Sequence, residues 1–168
     1  MKKRVYLAGD ITGHVYGNTT AWREYATAWL RQWDIEGLSP MRGKDYLANE
    51  TSIRDSYEGG EYPLSMAKGF TGRDRDDVRT SDLIIANFAS PERVSIGTVI
   101  ECAWADAYRK LLIVVLPEHS PANHAMLKEI AQFVVPTLDQ ALALVPPILN
   151  ARRVIPDTAD VQLTLAGK

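Results

Sequence analysis

Within residues 90–110, SPERVSIGTVIECAWADAYRK, the stretch from Ile96 through Cys102, Ala103 and Trp104 is small and apolar except for one carboxylate, Glu101. Glu101 stands four residues after Gly97 and six after Ser95. A helix beginning at Ser95 would place Glu101 in its first turn or two and leave free backbone N–H groups at its start, where an anion is held well. A carboxylate beside an anion site suits cleavage of an N-glycosidic bond. That reaction passes through an oxocarbenium-like state, which a carboxylate stabilises or traps covalently while a second acid protonates the leaving base. The segment GRDRDDVRTSDLIIANF offers Asp74, Asp76, Asp77 and Asp82 as that second acid. Asp74 is the best placed, because a helix over about 72–81 would carry it toward the ligand edge of a sheet. Asp82, at the start of the next strand, reads as a helix-to-strand cap at the opposite edge.

The elements that must position these groups are legible as short apolar runs. RVYLAG (4–9), IEGLSP (35–40), LIIANF (83–88), LLIVVL (111–116) and the weaker QFVVP (132–136) end in Gly, Pro or polar residues and read as buried parallel strands. Helical patterns lie between them. Trp22, Tyr25, Ala26, Trp29 and Trp33 share a face over about 20–33, and Ile100, Trp104, Ala107 and Tyr108 share one over about 96–109, where they are expected to face the core and turn Glu101 toward a crevice. The alternation predicts an α/β protein with a single doubly wound sheet, flavodoxin- or Rossmann-like, of about five mostly parallel strands. Residues 41–71 exceed a normal connection and read as a functional loop or lid with a short helix. One catalytic domain over 1–149 and an exposed C-terminal tail over 150–168 are expected. Ligands of such a sheet bind outside the carboxyl ends of the strands, where GDITGHVYGN (with Gly9 and Asp10), SPMRGK and ASPERVSIG (with Ser95 and Gly97) all open.

Composition narrows the partners. The 168 residues are 46% hydrophobic and carry a formal charge of −2, with Lys and Arg scattered, which argues against nucleic acid. One cysteine excludes an internal disulfide framework, and three separated histidines give no zinc-ligand spacing. The start MKKRVYLAGD has too short an apolar run for a signal peptide or membrane anchor, so a cytoplasmic protein without a membrane partner is expected.

Taken together, VYLAG in the first strand, RDRDDVRTSDLIIANF, SIGTVIECAWADAYRK and the later HAM at 124–126 resemble the nucleoside 2-deoxyribosyltransferases and the related 2'-deoxynucleoside 5'-phosphate N-hydrolases. The resemblance spans roughly residues 4–135. It implies that Glu101 is the nucleophile, that Tyr6 orients it, and that Asp74 exchanges a proton with the base. It implies no metal or cofactor, and a homo-oligomer in which His124 and Met126 complete a neighbouring subunit's pocket. Where the transferases carry an Asp six residues before the nucleophile to receive the sugar 5'-hydroxyl, this chain has Ser95, as the phosphohydrolase relatives do. An Asp would repel a 5'-phosphate, whereas a hydroxyl with helix N–H groups would hold one, and Arg93 and His124 could add positive charge. The ending VQLTLAGK does not resemble the transferase C-terminus.

Simpler readings compete. Glu101 could be a surface carboxylate near a helix start, Tyr6 a core aromatic, Asp74 part of a solvated charge run with Asp76 and Asp77, and Ser95 only an N-cap. His14 lies in the first ligand loop and is a further candidate for substrate contact. Cys102 reads as a small buried residue, since no histidine is placed to activate it. Trp22, Trp29 and Trp33 read as core or subunit interface. GTVIE also resembles an element of the phosphoribohydrolases, without their Gly-rich lead-in. The expected activity is transfer of a 2-deoxyribosyl group from a 2'-deoxynucleoside or its 5'-monophosphate to a free nucleobase. Hydrolysis of the same bond and nucleotide sensing without turnover are the alternatives.

Overall fold

The computed structural model describes residues 2–90 and 93–154. Strands β1 (Lys3–Gly9), β2 (Ile35–Leu38), β3 (Leu83–Asn87), β4 (Leu111–Val115) and β5 (Phe133–Val135) alternate with helices α1 (Tyr16–Arg31), α2 (Ala67–Thr80), α3 (Ile96–Ala107), α4 (Ala125–Ile130) and α5 (Leu138–Leu149). All strand pairings are parallel and the order is β2-β1-β3-β4-β5. This is the doubly wound order in which the chain reverses direction between β1 and β3, opening a crevice at their carboxyl ends.

The central strands are apolar throughout because both of their faces are covered. Tyr6, Ala8, Ile84, Ala86, Leu112 and Val114 point to the side packed by α2 and α3, whereas Val5, Leu7, Leu83, Ile85, Ile113 and Val115 point to the side packed by α1 and α5.

Helix faces differ from the sequence expectation in two places. On α1 the buried stripe is Thr19, Arg23, Ala26 and Leu30, while Trp22, Trp29 and Trp33 pack along its flank and Tyr25 is exposed. On α3 the inward face is Thr98, Glu101, Cys102 and Ala105; Ile100 faces outward with Ile96 and Val99, and Trp104 is only partly buried. The reason is steric. Small side chains let a helix lie close on the sheet, and the larger apolar residues are left on its outer side.

Helix α5 is absent from the sequence reading, because its run LALVPPIL contains Pro146 and Pro147. An interior proline costs a helix about 3 kcal/mol. Burial of Ala141, Leu142, Val145 and Pro146 offsets this, and the ends are well made: Thr137 Oγ1 accepts from the Gln140 N–H at 3.3 Å, and Asn150 closes the helix in the left-handed region at φ 50°.

Residues 39–66 form the expected long connection, with two 3-10 turns, Asp45–Leu47 and Pro63–Ser65, and α2 begins earlier than expected, at Ala67. The connection lies tightly on α2: a Cβ at Gly69 would stand 1.9 Å from the Pro63 carbonyl oxygen. Glu58 Oε1 accepts from the Ala67 N–H at 2.7 Å, so a loop carboxylate caps this helix. Residues 150–154 run back past α1, with the Val154 N–H donating to the Gln32 carbonyl at 2.8 Å. The remainder of the expected tail lies outside the described residues.

Candidate active site

The three loops that leave β1, β2 and β3 at their carboxyl ends surround a cavity of about 470 Å³. Gly9 and Asp10 line it from β1, Lys44 from the loop after β2, Phe70 and Asp74 from α2, and Ser95, Gly97 and Glu101 from the start of α3. Gly9 is required by close approach, because a Cβ there would meet the Trp22 ring at 2.7 Å.

Glu101 is 8% exposed and accepts a 2.6 Å hydrogen bond from the Tyr6 phenol, itself fully buried in β1. Burial raises the Glu101 carboxyl to about 8, against the opposing effect of the Tyr6 bond, and the charge of Asp74 adds to the rise. Tyr6 is pushed well above its ordinary value by burial and by the neighbouring carboxylates. The Asp74 carboxyl is also raised by burial, opposed by Arg73, which holds it at 3.1–3.2 Å. Two carboxyl groups therefore share one cavity, both raised by burial but with different partners, Tyr6 on Glu101 and Arg73 on Asp74, and unlike settings of this kind let one group donate a proton while the other acts as base or nucleophile.

The other acids of the run are engaged elsewhere. Asp76 pairs with Arg79 at the surface, Asp77 binds Arg42 at 2.7 Å, and Asp82 accepts from the Arg4 N–H at 2.8 Å and from Lys3 at 3.0 Å at the far edge of the sheet. Ser95 is the N-cap of α3: its Oγ accepts from the Thr98 N–H at 3.3 Å and from the Thr98 hydroxyl at 3.0 Å, leaving its own hydroxyl proton for another acceptor. Asp10 pairs with His14 at 2.8 Å and with Arg93 at 3.4 Å; Arg93 borders the cavity and His14 does not.

His124 and Met126 do not line this chain's own cavity. His124 caps α4 by accepting from the Met126 N–H at 3.2 Å, and the Met126 side chain is 73% exposed. Cys102 is fully buried and its thiol is raised far above its ordinary value by burial, which leaves it unreactive. Trp29 and Trp33 pack against each other at 5.9 Å on the α1 side of the sheet, away from the cavity.

Two cations were not found by sequence reasoning. Arg23 is wholly buried and donates to the carbonyls of Leu7 at 3.1 Å, Gly9 at 2.8 Å and Thr19, so it ties the end of β1 to α1. Among the described residues its charge has no directly bonded carboxylate, and it favours the ionised forms of Glu101 and Asp74. The spacing Thr19, Arg23, Ala26, Leu30 was the available signal, since it is a buried helical stripe containing one charge. Lys44 is 7% exposed, and burial lowers its ammonium to about 8. It ends the ligand-edge loop SPMRGK, but nothing in the sequence singles it out from Arg42 in the same loop.

Fold and cavity together define a doubly wound α/β protein with a two-carboxylate site at its topological switch point. The chain belongs to the nucleoside 2-deoxyribosyltransferase family, whose model matches residues 5–145. Among solved structures it is similar to a CMP N-glycosidase of Clostridium botulinum, BcmB, with 22% identity, 84% of this chain and 96% of that chain covered, and a TM-score of 0.51. A 2-deoxyribosyltransferase of Leishmania mexicana gives 20% identity, 84% and 95% coverage and a TM-score of 0.55. A conserved protein of Enterococcus faecalis gives 15% identity, 85% and 96% coverage and a TM-score of 0.60. At these identities the likeness is one of fold. No curated protein matches the sequence. Family members are glycosyltransferases or N-glycosidases acting on small nucleosides or nucleotides, which supports an enzyme. No described helix is long and apolar enough to cross a membrane.

Proposed function

We propose that the protein transfers the 2-deoxyribosyl group of 2'-deoxynucleosides or their 5'-monophosphates to another nucleobase through a glycosyl ester on Glu101. The observation that carries this reading is the 2.6 Å bond from Tyr6 to Glu101 in a cavity that also holds Asp74. In the first half-reaction a Glu101 carboxylate oxygen attacks C1', the C1'–N bond breaks with its electron pair going to the base, and Asp74 supplies the base with a proton. Tyr6 holds one carboxylate oxygen and leaves the other to attack. In the second half an acceptor base, or water, attacks C1', Glu101 leaves as carboxylate, and Asp74 takes back a proton. Arg23 and Lys44 favour the ionised carboxylates between these steps.

Hydrolysis is the second reading, and Ser95 favours it for nucleotides, since its unspent hydroxyl proton and the N–H groups of Ile96 and Gly97 suit a 5'-phosphate. A homo-oligomer with shared active sites is supported by the outward apolar residues Ile96, Val99 and Ile100 of α3 and by the exposed Met126.

The test is incubation with each deoxynucleoside and deoxynucleotide, with and without a second free base, followed by product separation and intact-mass measurement of rapidly quenched enzyme. Base exchange and a deoxyribosyl adduct absent from Glu101→Gln are expected. Near-normal turnover by Glu101→Gln would sink the covalent mechanism, and nucleotide binding without base release by wild type would leave only a sensor.

A further inference from the structure

Lys44 is a largely buried side chain whose ammonium faces the cavity and has no protein acceptor among the described residues. Its side chain lines the cavity, and among the described residues it makes neither a hydrogen bond nor an ion pair; its ammonium stands over the Phe70 ring at 5.1 Å to the centroid. An ammonium has three donors to satisfy, and here they open onto the cavity and not onto a protein acceptor. The placement is enforced. Arg73 donates to the Arg42 carbonyl at 3.0 Å and to the Pro40 carbonyl while also holding Asp74, and Arg42 binds Asp77 at 2.7 Å. Two guanidiniums thus clamp residues 40–44 onto the face of α2 that carries Asp74. Phe70, one turn before Asp74, gives the same wall an apolar ring.

We propose that Lys44 binds the carbonyl oxygen next to the glycosidic nitrogen of the leaving base, and so makes 2-oxopyrimidines the preferred bases of this site. The inference rests on the N-glycosidic reading above and adds its base selectivity. Lys44 shares its wall with Asp74, the acid assigned to the base, and the charge it senses most strongly is that of Asp74, with Glu101 weaker. The anion-holding groups, Ser95 and the start of α3, come from a different loop. A pyrimidine joined through N1 has its O2 beside the bond that breaks. As the C1'–N1 electron pair moves onto the base, negative charge is shared between N1 and O2, and an ammonium on O2 strengthens its bond as that charge grows. The proton from Asp74 then neutralises the base. Adenine, joined through N9, has no carbonyl at all, and the guanine carbonyl lies across the ring system from the glycosidic bond.

The experiment compares deoxycytidine, deoxyuridine and deoxyadenosine, each with and without a 5'-phosphate, on wild type, Lys44→Met and Lys44→Gln. Wild type should release pyrimidines faster than adenine. Lys44→Met should lose about 100-fold more in kcat/KM on the oxopyrimidines than on adenine, mostly in kcat, as when one donor to a developing anion is removed, whereas the loss of its charge beside Glu101 and Asp74 falls on every base alike. Lys44→Gln, which keeps a donor, should recover part of the loss. Thermal stability of Lys44→Met should equal or exceed that of wild type; a marked drop would mean that Lys44 is a structural strut and would overturn the proposal. Equal losses on every base, or losses confined to the 5'-phosphates, would also overturn it. Calorimetry with free cytosine and free adenine reads the contact without turnover: wild type should prefer cytosine and Lys44→Met should not, and absence of that preference in wild type defeats the inference. Failure of the N-glycosidic reading shows separately, as no base release by wild type or full activity in Glu101→Gln.

Discussion

The Tyr6 phenol and the Glu101 carboxylate, 95 residues apart in sequence, meet at 2.6 Å between the first strand and the helix that follows the third. This bond opposes the burial that, even with the bond in place, raises the carboxyl to about 8. A protonated Glu101 cannot attack C1', so kcat/KM of wild type should rise with pH up to about 8, close to tenfold per unit on the acid side. Tyr6→Phe removes the opposing bond. Its acid limb should move to higher pH, with a loss of about 10- to 100-fold at neutral pH from the general scale of such hydrogen bonds. An unshifted limb in Tyr6→Phe would assign the limb to a different group.

Stability should respond to the same carboxyl with the opposite sign. The folded state holds a proton on Glu101 up to about 8, whereas the ordinary value is 4.5, so the native protein binds more protons than the unfolded chain between those limits. Wild-type stability therefore loses this contribution as pH rises through that window. Glu101→Gln cannot ionise and keeps the shape of the side chain. It should match wild type below pH about 4.5 and exceed it above pH about 8 by roughly 3 kcal/mol, at 1.36 kcal/mol per pKa unit with allowance for relaxation. Denaturant titrations at the two pH extremes measure the difference, and parallel curves would show that the carboxyl is not destabilised by folding.

Much of this site was legible in the sequence because it departs from local patterns. Glu101 is the lone charge in an apolar stretch, and Asp74 follows from the helix before the third strand. The central strands β1, β3 and β4 were legible because burial on both faces leaves no polar alternation, whereas the edge strands β2 and β5 gave shorter or weaker runs. The outward turn of Ile100 was not, since its apolar character reads as core until the small inward residues Thr98, Cys102 and Ala105 are seen against the sheet. Helix α5 was hidden by its two prolines, whose cost is met by tertiary burial. Lys44 acquires its setting from Phe70 and Asp74, which only the clamp by Arg73 and Arg42 brings beside it.

Deoxyribose substrates should outrun their ribose counterparts. A Glu101 oxygen approaching C1' passes close to C2', and a 2'-hydroxyl there is both an obstacle and an electron-withdrawing group that destabilises the oxocarbenium. Parallel kcat/KM measurements on cytidine and deoxycytidine, and on their monophosphates, check this. Equal or faster ribonucleotide turnover would favour phosphoribohydrolase-like chemistry.

Assembly should depend on the outer face of α3. Ile96 is 76% exposed and Met126 73%, and Val99 and Ile100 lie beside Ile96 on the same helix. A second copy of the chain would cover such a surface, since homo-oligomers close by presenting the same patch to each other. Ile96→Glu with Ile100→Glu should shift the sedimentation coefficient from oligomer to monomer. If His124 and Met126 complete a neighbour's cavity, activity should fall with the oligomer and return when the charged variant is mixed with a compensating Ile96→Lys, Ile100→Lys chain. A wild type that sediments as a monomer and is fully active would refute shared sites.

The final prediction concerns the anion. Ser95 accepts both Thr98 donors and keeps its hydroxyl proton free at a helix start, so the position should favour a 5'-monophosphate over a 5'-hydroxyl. Charge-assisted hydrogen bonds are about twice as strong as neutral ones. Ser95→Asp would retain the cap, since Asp is an equally good N-cap, while placing a negative charge where the phosphate must sit. For the nucleotide, kcat/KM should fall steeply; for the nucleoside, whose 5'-hydroxyl can donate to the new carboxylate, it should hold or rise, inverting the preference. Inorganic phosphate should compete with the nucleotide on wild type and have little effect on the nucleoside reaction of the variant. Because the cap is kept, a uniform loss on both substrates cannot be blamed on a broken helix start; it would mean that Ser95 only caps α3 and that the nucleoside, without phosphate, is the substrate.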